Sequence, residues 1–457
     1  MLSFAFGQIR LRPAAFAGLA AALFLAVATL TLFGSLLAAG IAAPATPGRA
    51  VAGPGLTVIA AGFGEIAVLV SFFVVVNTLG FAIRQQHREL ALLRTVAATP
   101  GQVRRLVRWQ VLVTVLLVAP AALATGAAGA RWFLHALVAR TMAAPTVHVP
   151  ASPVPLLVAV VAALAVGLLS ASVAARRITR IAPAEATAAS TTEHHRTGWF
   201  RVVAGLGWLG GGGLLLRLVA TQPADKAGQA ALLAALVLLV AVALLGPLLA
   251  RAVVTVLGAP VRASARCCGW LADANLRGYA HRLSAAVVPV SLLVGLSCTM
   301  VFMTTTVEHA TGRPADASLS TVNSASDVWL RQAELAMLVC FAAVSTVNTL
   351  AALTADRRRE FALLTLLGAT RRQLARTLCV EMLLTAAVGV LLGTAVAGTT
   401  AAAFSLSVTG SALPSVPWRA YAWIVVGALA LTAPGILGAG LRATSGRATE
   451  LVGGQRG

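Results

Sequence analysis

A catalytic protein needs a nucleophile, a metal cage, a phosphate cradle or a titratable group held away from water, and this chain is poor in all four. A phosphate loop of the form G-x-x-x-x-G-K-[ST] ends on a lysine. The one lysine, Lys226, stands in QPADKAG and does not fit. Gly205-x-Gly207-x-x-Gly210 spells a dinucleotide fingerprint. It lies in an apolar helical run with no preceding strand, where glycine instead allows close helix packing. Cys267, Cys268, Cys298, Cys340 and Cys379 form no CxxC and no His/Cys cluster with ligand spacing, which predicts neither disulfide nor metal. His194-His195 falls in a polar linker and reads as solvated. The chain is not expected to be an enzyme or to bind a cofactor itself.

The remaining chemistry is charge in apolar surroundings. Glu65 and Glu334 fall in the outer parts of two greasy runs. Carboxylates in a bilayer are costly and often functional. Two readings stand: they attract a cationic substrate, or they reach outer headgroups and bond locally. Asn77 and Asn348 read as interhelical hydrogen-bond donors.

The elements that must position these residues are membrane helices. The chain is 59% hydrophobic and 11% charged, far from the roughly 25% charge of a soluble domain. Runs long enough to span lie near 14–38, 57–82, 109–130, 153–175, 202–220, 228–250, 283–304, 329–354, 378–403 and 418–441. The expected fold is therefore an all-α polytopic membrane protein of ten transmembrane helices. The net charge of +21 suggests nucleic acid only until the arginines are mapped. With the N-terminus inside, cytoplasmic segments hold 27 basic residues and outer segments 8. That bias places both termini and the most basic loops in the cytoplasm, with no nucleic-acid role. The outer segments are short; the longest, near 305–328, has no room for a folded domain.

Two of the basic loops are alike. HRELALLRTVAATPGQVRRL at 87–106 and RREFALLTLLGATRRQL at 358–374 align without a gap at an offset of 271. Arg88-Glu89 falls on Arg359-Glu360, Ala98-Thr99 on Ala369-Thr370, and Gln102 on Gln373, while VNTL at 76–79 repeats at 347–350. This is an internal duplication: spans 1–4 and 7–10, with spans 5–6 between. Six spans separate equivalent positions, so the halves insert in parallel. The expected division is 1–190, 191–260 and 261–457. Within each loop, Leu90, Leu93 and Ala97 share one helical face. Thr99-Pro100-Gly101-Gln102 then starts a new helix with a capping box, and Thr370-x-x-Gln373 repeats it. Each loop is thus a helix, a sharp break and a second helix. Such an elbow could carry force from a soluble partner to the spans. The alternative is an amphipathic connector lying on anionic lipid; the fixed repeat of Arg-Glu, Ala-Thr and Gln favours the elbow.

These two segments resemble the signature of FtsX/MacB-like ABC transporter permeases. RRITRIAPAEAT at 176–187, RATELV near the C-terminus and DANLRGYAHRLSAAVVPVSLLVGL at 273–296 are similar to other stretches of that family. The resemblance covers nearly the whole chain. It implies two parallel four-helix repeats joined by two central helices, and a membrane subunit that docks a separate cytoplasmic ATP-binding cassette protein. Two ATPase copies would carry ATP and Mg, one on each elbow, 84–108 and 355–378. Docking residues carried over from the motif are Arg88, Glu89, Leu92, Leu93, Arg94 and Gln102 in the first elbow. In the second they are Arg359, Glu360, Leu363, Leu364, Gly368 and Gln373. Ala97 replaces the motif glycine that Gly368 keeps. Many members carry a large extracytoplasmic domain after the first or seventh span, where this chain has short segments. The expected role is export of amphipathic compounds such as antibiotics, peptides or lipids. An ion-driven transporter and a non-transporting signal transmitter are the alternatives.

Overall fold

The computed structural model describes residues 13–43, 55–85, 99–150, 152–178, 199–264, 266–278, 280–311, 325–355 and 358–434. Among these residues all regular structure is helical: α1 Pro13–Ala42, α2 Leu56–Gln85, α3 Pro100–Ala139, α4 Val154–Ile178, α5 Trp199–Thr221 and α6 Ala224–Ser264. There follow α7 Arg266–Gly278, α8 Ala280–Thr311, α9 Ala325–Ala355, α10 Arg358–Leu366, α11 Arg371–Thr409 and α12 Trp418–Ala433. The chain is an all-α polytopic membrane protein. Nine of the described helices are long and apolar enough to cross a membrane. The tenth expected span is α12, described as far as Pro434.

Several helices outrun the apolar stretches that predict them. α3 and α11 extend over 40 and 39 residues, against expected spans at 109–130 and 378–403. The extra turns hold Arg104, Arg105 and Arg108, or Arg371, Arg372 and Arg376, all exposed. These are good helix formers that end the hydrophobic run without ending the helix. α7 is amphipathic over its 13 described residues, and hydropathy alone does not reveal it.

The helices form two compact units, Met1–Glu193 and His194–Gly457. In the first, α1 packs on α2, α3 and α4, and α4 also packs on α2 and α3. In the second, α8 packs on α9, α11 and α12, and α12 also packs on α9 and α11. The same five pairings recur in both halves, as a duplicated sequence requires. α5 and α6 pair with each other and pack on α11, and α6 also lies on α8.

Small residues set the closest crossings, since lipid supplies no hydrophobic drive between helices. A Cβ on Gly393 of α11 would stand 2.8 Å from the Ser291 carbonyl and 2.9 Å from the Gly295 nitrogen of α8. Gly389 meets Val290 in the same seam, and Gly126 of α3 packs against the Ala28 carbonyl of α1. α8 is the central helix of its unit and is almost wholly buried along its apolar length. In the first unit Phe33, Phe63 and Phe133 join α1, α2 and α3 as a ring triangle with centroids 5.1–5.9 Å apart.

The glycine-rich α5 resolves the false fingerprint. Only Gly205 and Gly212 touch α6, where a Cβ would run into Leu245 and Leu238; Gly207 and Gly210 face open space. Pro247 inside α6 removes the N–H that would reach the Ala243 carbonyl. Arg201 of α5 supplies the missing donor: its Nη2 donates to the Ala243 carbonyl, and its Nε also donates to the Leu244 carbonyl, each at 2.8 Å.

Candidate docking elbows

The second elbow is described from Arg358 through α11. Glu360 lies in the first described turn of α10 and is half-buried. Arg359 lies in the same turn. The helix stops by a left-handed cap. Gly368 has φ +93°, its N–H donates to the Thr365 carbonyl, and the Ala369 N–H donates to the Leu364 carbonyl at 3.0 Å. This 6→1 and 5→2 pair is a Schellman motif, and only glycine takes that φ without strain.

α11 then starts from Thr370. The Gln373 N–H donates to Thr370 Oγ1 at 3.3 Å, and the Thr370 N–H donates to Gln373 Oε1 at 2.8 Å. The first elbow repeats this box: Gln102 N–H to Thr99 Oγ1 at 3.3 Å, and Thr99 N–H to Gln102 Oε1 at 2.9 Å. The cap residues have nearly the same backbone, φ −73°, ψ 152° and φ −75°, ψ 152°. The capping boxes predicted from sequence are present at both sites. Gln102 and Gln373 thereby spend their side-chain carbonyls on the bend itself.

Burial divides the second elbow into an anchor and a tip. Phe361 is 3% exposed and packs with Ala286 of α8, Leu350 of α9, and Leu374 and Leu378 of α11; Leu364 and Ala369 pack against the same cluster. Three spanning helices therefore grip the elbow. Leu363, Leu366 and Leu367 point away, at 48%, 53% and 85% exposure. Exposed Arg371, Arg372 and Arg376 flank them on α11. The sequence motif names Leu363 and Leu364 together, and the structure gives them different surroundings: Leu363 belongs to the tip and Leu364 to the anchor. Leu366 and Leu367 were not anticipated, although their spacing from Leu363 at i+3 and i+4 puts them on one helical face.

Of the first-elbow residues, Arg88, Glu89, Leu92, Leu93 and Arg94 lie outside the described residues. So do His194-His195, the C-terminal RATELV and most of RRITRIAPAEAT.

The two membrane carboxylates sit differently. Glu65 is exposed on α2, in line with exposed Ala61 and Leu69. Glu334, in the first part of α9, is partly covered, and its Oε1 has no hydrogen-bond partner. Each lies in a separate unit.

The chain matches the FtsX-like permease C-terminal family over residues 61–183 and again over 334–446. The matches begin inside α2 and α9, the equivalent helices of the halves, and run through the fourth helix of each. No curated protein matches the chain. Two copies of one family unit, together just over half the sequence, sit on two bundles with identical helix pairings, and the chain belongs to the FtsX-like permease family.

Proposed function

We propose that the chain is the membrane subunit of an ATP-binding cassette transporter, driven by a separate cytoplasmic ATPase that docks on elbows 84–108 and 355–378. The observation that carries this reading is the split second elbow. A tip of three leucines is exposed among the described residues, while its anchor is locked onto α8, α9 and α11. Exposed apolar side chains at a rigid bend suit a hydrophobic cleft on another protein. The flanking arginines suit an acidic rim to that cleft. Two elbows suit two ATPase copies, which would hold ATP and Mg. The arginine bias along the sequence puts both elbows in the cytoplasm of a plasma membrane, most simply a bacterial one.

The transported class follows from what flanks the spans. The outer segments are short, so a substrate entering sideways from the bilayer fits better than one handed over by an extracytoplasmic domain. Efflux of amphipathic compounds is the reading adopted. Glu65, exposed on an apolar helix face, adds a preference for substrates with a cationic group.

The test is co-expression with the ATP-binding cassette protein encoded nearest to this chain, followed by purification through a tag on the permease. Wild type should bring down the ATPase at two copies per chain. Leu363→Asp with Leu367→Asp, and Glu89→Ala with Glu360→Ala, should weaken capture at least about tenfold while unfolding temperature stays the same. A folded permease that captures no such ATPase would favour the ion-driven transporter instead.

A further inference from the structure

Glu381 of α11 belongs to neither the elbow tip nor the outer ends, yet it is 4% exposed. Its Oε1 accepts from Asn275 Nδ2 on α7 at 2.8 Å. Two residues before Asn275, Asp273 is 3% exposed. Asp273 lies against α6 at Gly258, where any Cβ would collide with the carboxylate. Leu276 of α7 packs on a cluster of Ala250, Val254, Leu283, Val287 and Val388. α7 is thus bonded to α11 through Asn275 and seated on α6 through Asp273 and Leu276.

α11 runs unbroken from the capping box at Thr370 to Glu381, with no proline and no internal cap. A displacement of the elbow therefore reaches Glu381 through helix backbone alone. In the first unit the equivalent position, 271 residues earlier, is Gln110 of α3, also buried at 1% exposure. An amide side chain stands there in place of the carboxyl group.

We propose that Asn275 and Glu381 are a positioning pair that makes α7 and α6 follow the second elbow, so that the central helices take their movement from the second half of the chain. The proposal rests on the docking reading above. The pair converts movement of α11 into movement of α6, and its loss should uncouple the ATPase from the permease while leaving the two bound.

The experiment uses the full chain purified with its ATPase in lipid nanodiscs. Asn275→Ala and Glu381→Ala are compared with the exchanged pair Asn275→Asp/Glu381→Gln, which keeps one amide and one carboxylate in reversed places. Three quantities are read: ATPase copies captured, unfolding temperature, and permease-dependent ATP turnover. The single variants should capture the ATPase normally yet lower turnover about tenfold, and the exchanged pair should return it to within about twofold of wild type. A merely structural bond would move unfolding temperature and capture together with turnover, which would overturn the coupling. So would unchanged turnover in both single variants, or an exchanged pair as impaired as they are. Should Glu381→Ala fail to fold, Asn275→Ala and the exchanged pair carry the comparison. A wild-type chain that captures no ATPase overturns the docking reading and the coupling with it.

Discussion

At the residue scale, two left-handed positions close two helices by the same motif with different residues. At the elbow the position is Gly368. At the end of α3 it is Thr141, with φ +58°. The Thr141 N–H donates to the Val138 carbonyl, and the N–H of the fully buried Met142 donates to that of Leu137. A β-branched residue in this region is strained. Thr141→Gly should stabilise the protein by about 1 kcal/mol, read as a higher unfolding temperature in detergent or nanodiscs. Arg201 makes a second prediction. Arg201→Leu should cost about 1–3 kcal/mol, because the Ala243 carbonyl beside Pro247 loses its donor. Pro247→Ala in the same chain should recover part of that loss by restoring the backbone N–H; absence of recovery would refute the account of Arg201. The capping boxes were legible in the sequence because their partners are three residues apart. Neither Thr141 nor the Arg201–Ala243 bond was: the first defies the usual glycine signal, and the second joins residues 42 apart.

At the scale of elements, the second elbow is a lever arm whose anchor centres on Phe361, with Leu364 and Ala369 beside it. Phe361→Ala should loosen α10 by about 3–5 kcal/mol of local stability. The expected signature is faster amide exchange across 358–370 with the spanning helices unchanged. Loss of protection throughout the second unit would mean that Phe361 supports the bundle rather than the elbow. The apolar face of this element could be read in advance, since Leu90 and Leu93 fall at the offset of Phe361 and Leu364. What periodicity could not show is which leucines of the run would find a partner. The faces of α8 and α9 that receive Phe361 are brought there by the fold. α7 was missed for a related reason: its Asn275 is satisfied by Glu381, 106 residues away.

At the scale of the whole molecule, the arginine distribution and the two repeats make a topological prediction. Leu367 at the elbow and Leu413 beyond the far end of α11 are among the most exposed apolar residues, at 85% and 86%. In a chain without other cysteines, Leu367→Cys should react with a membrane-impermeant maleimide only in inside-out vesicles. Leu413→Cys should react only in right-side-out vesicles. The reverse pattern would invert the topology and remove the elbows from any cytoplasmic partner. The membrane helices and the duplication were readable because both depend on composition and register along the chain.

The glycine seam between α8 and α11 has a mechanical meaning. Gly389 and Gly393 lie near the middle of the 39-residue α11. About 30 Å of helix runs from there to the elbow and about 27 Å to the opposite end. A rod pinned at its closest crossing pivots there. With arms so nearly equal, a tilt of about 5° would swing the two ends by some 2–3 Å each in opposite directions. Such a seesaw would open the outer end of the unit as the inner end closes, and the position of the two glycines sets its ratio near one to one.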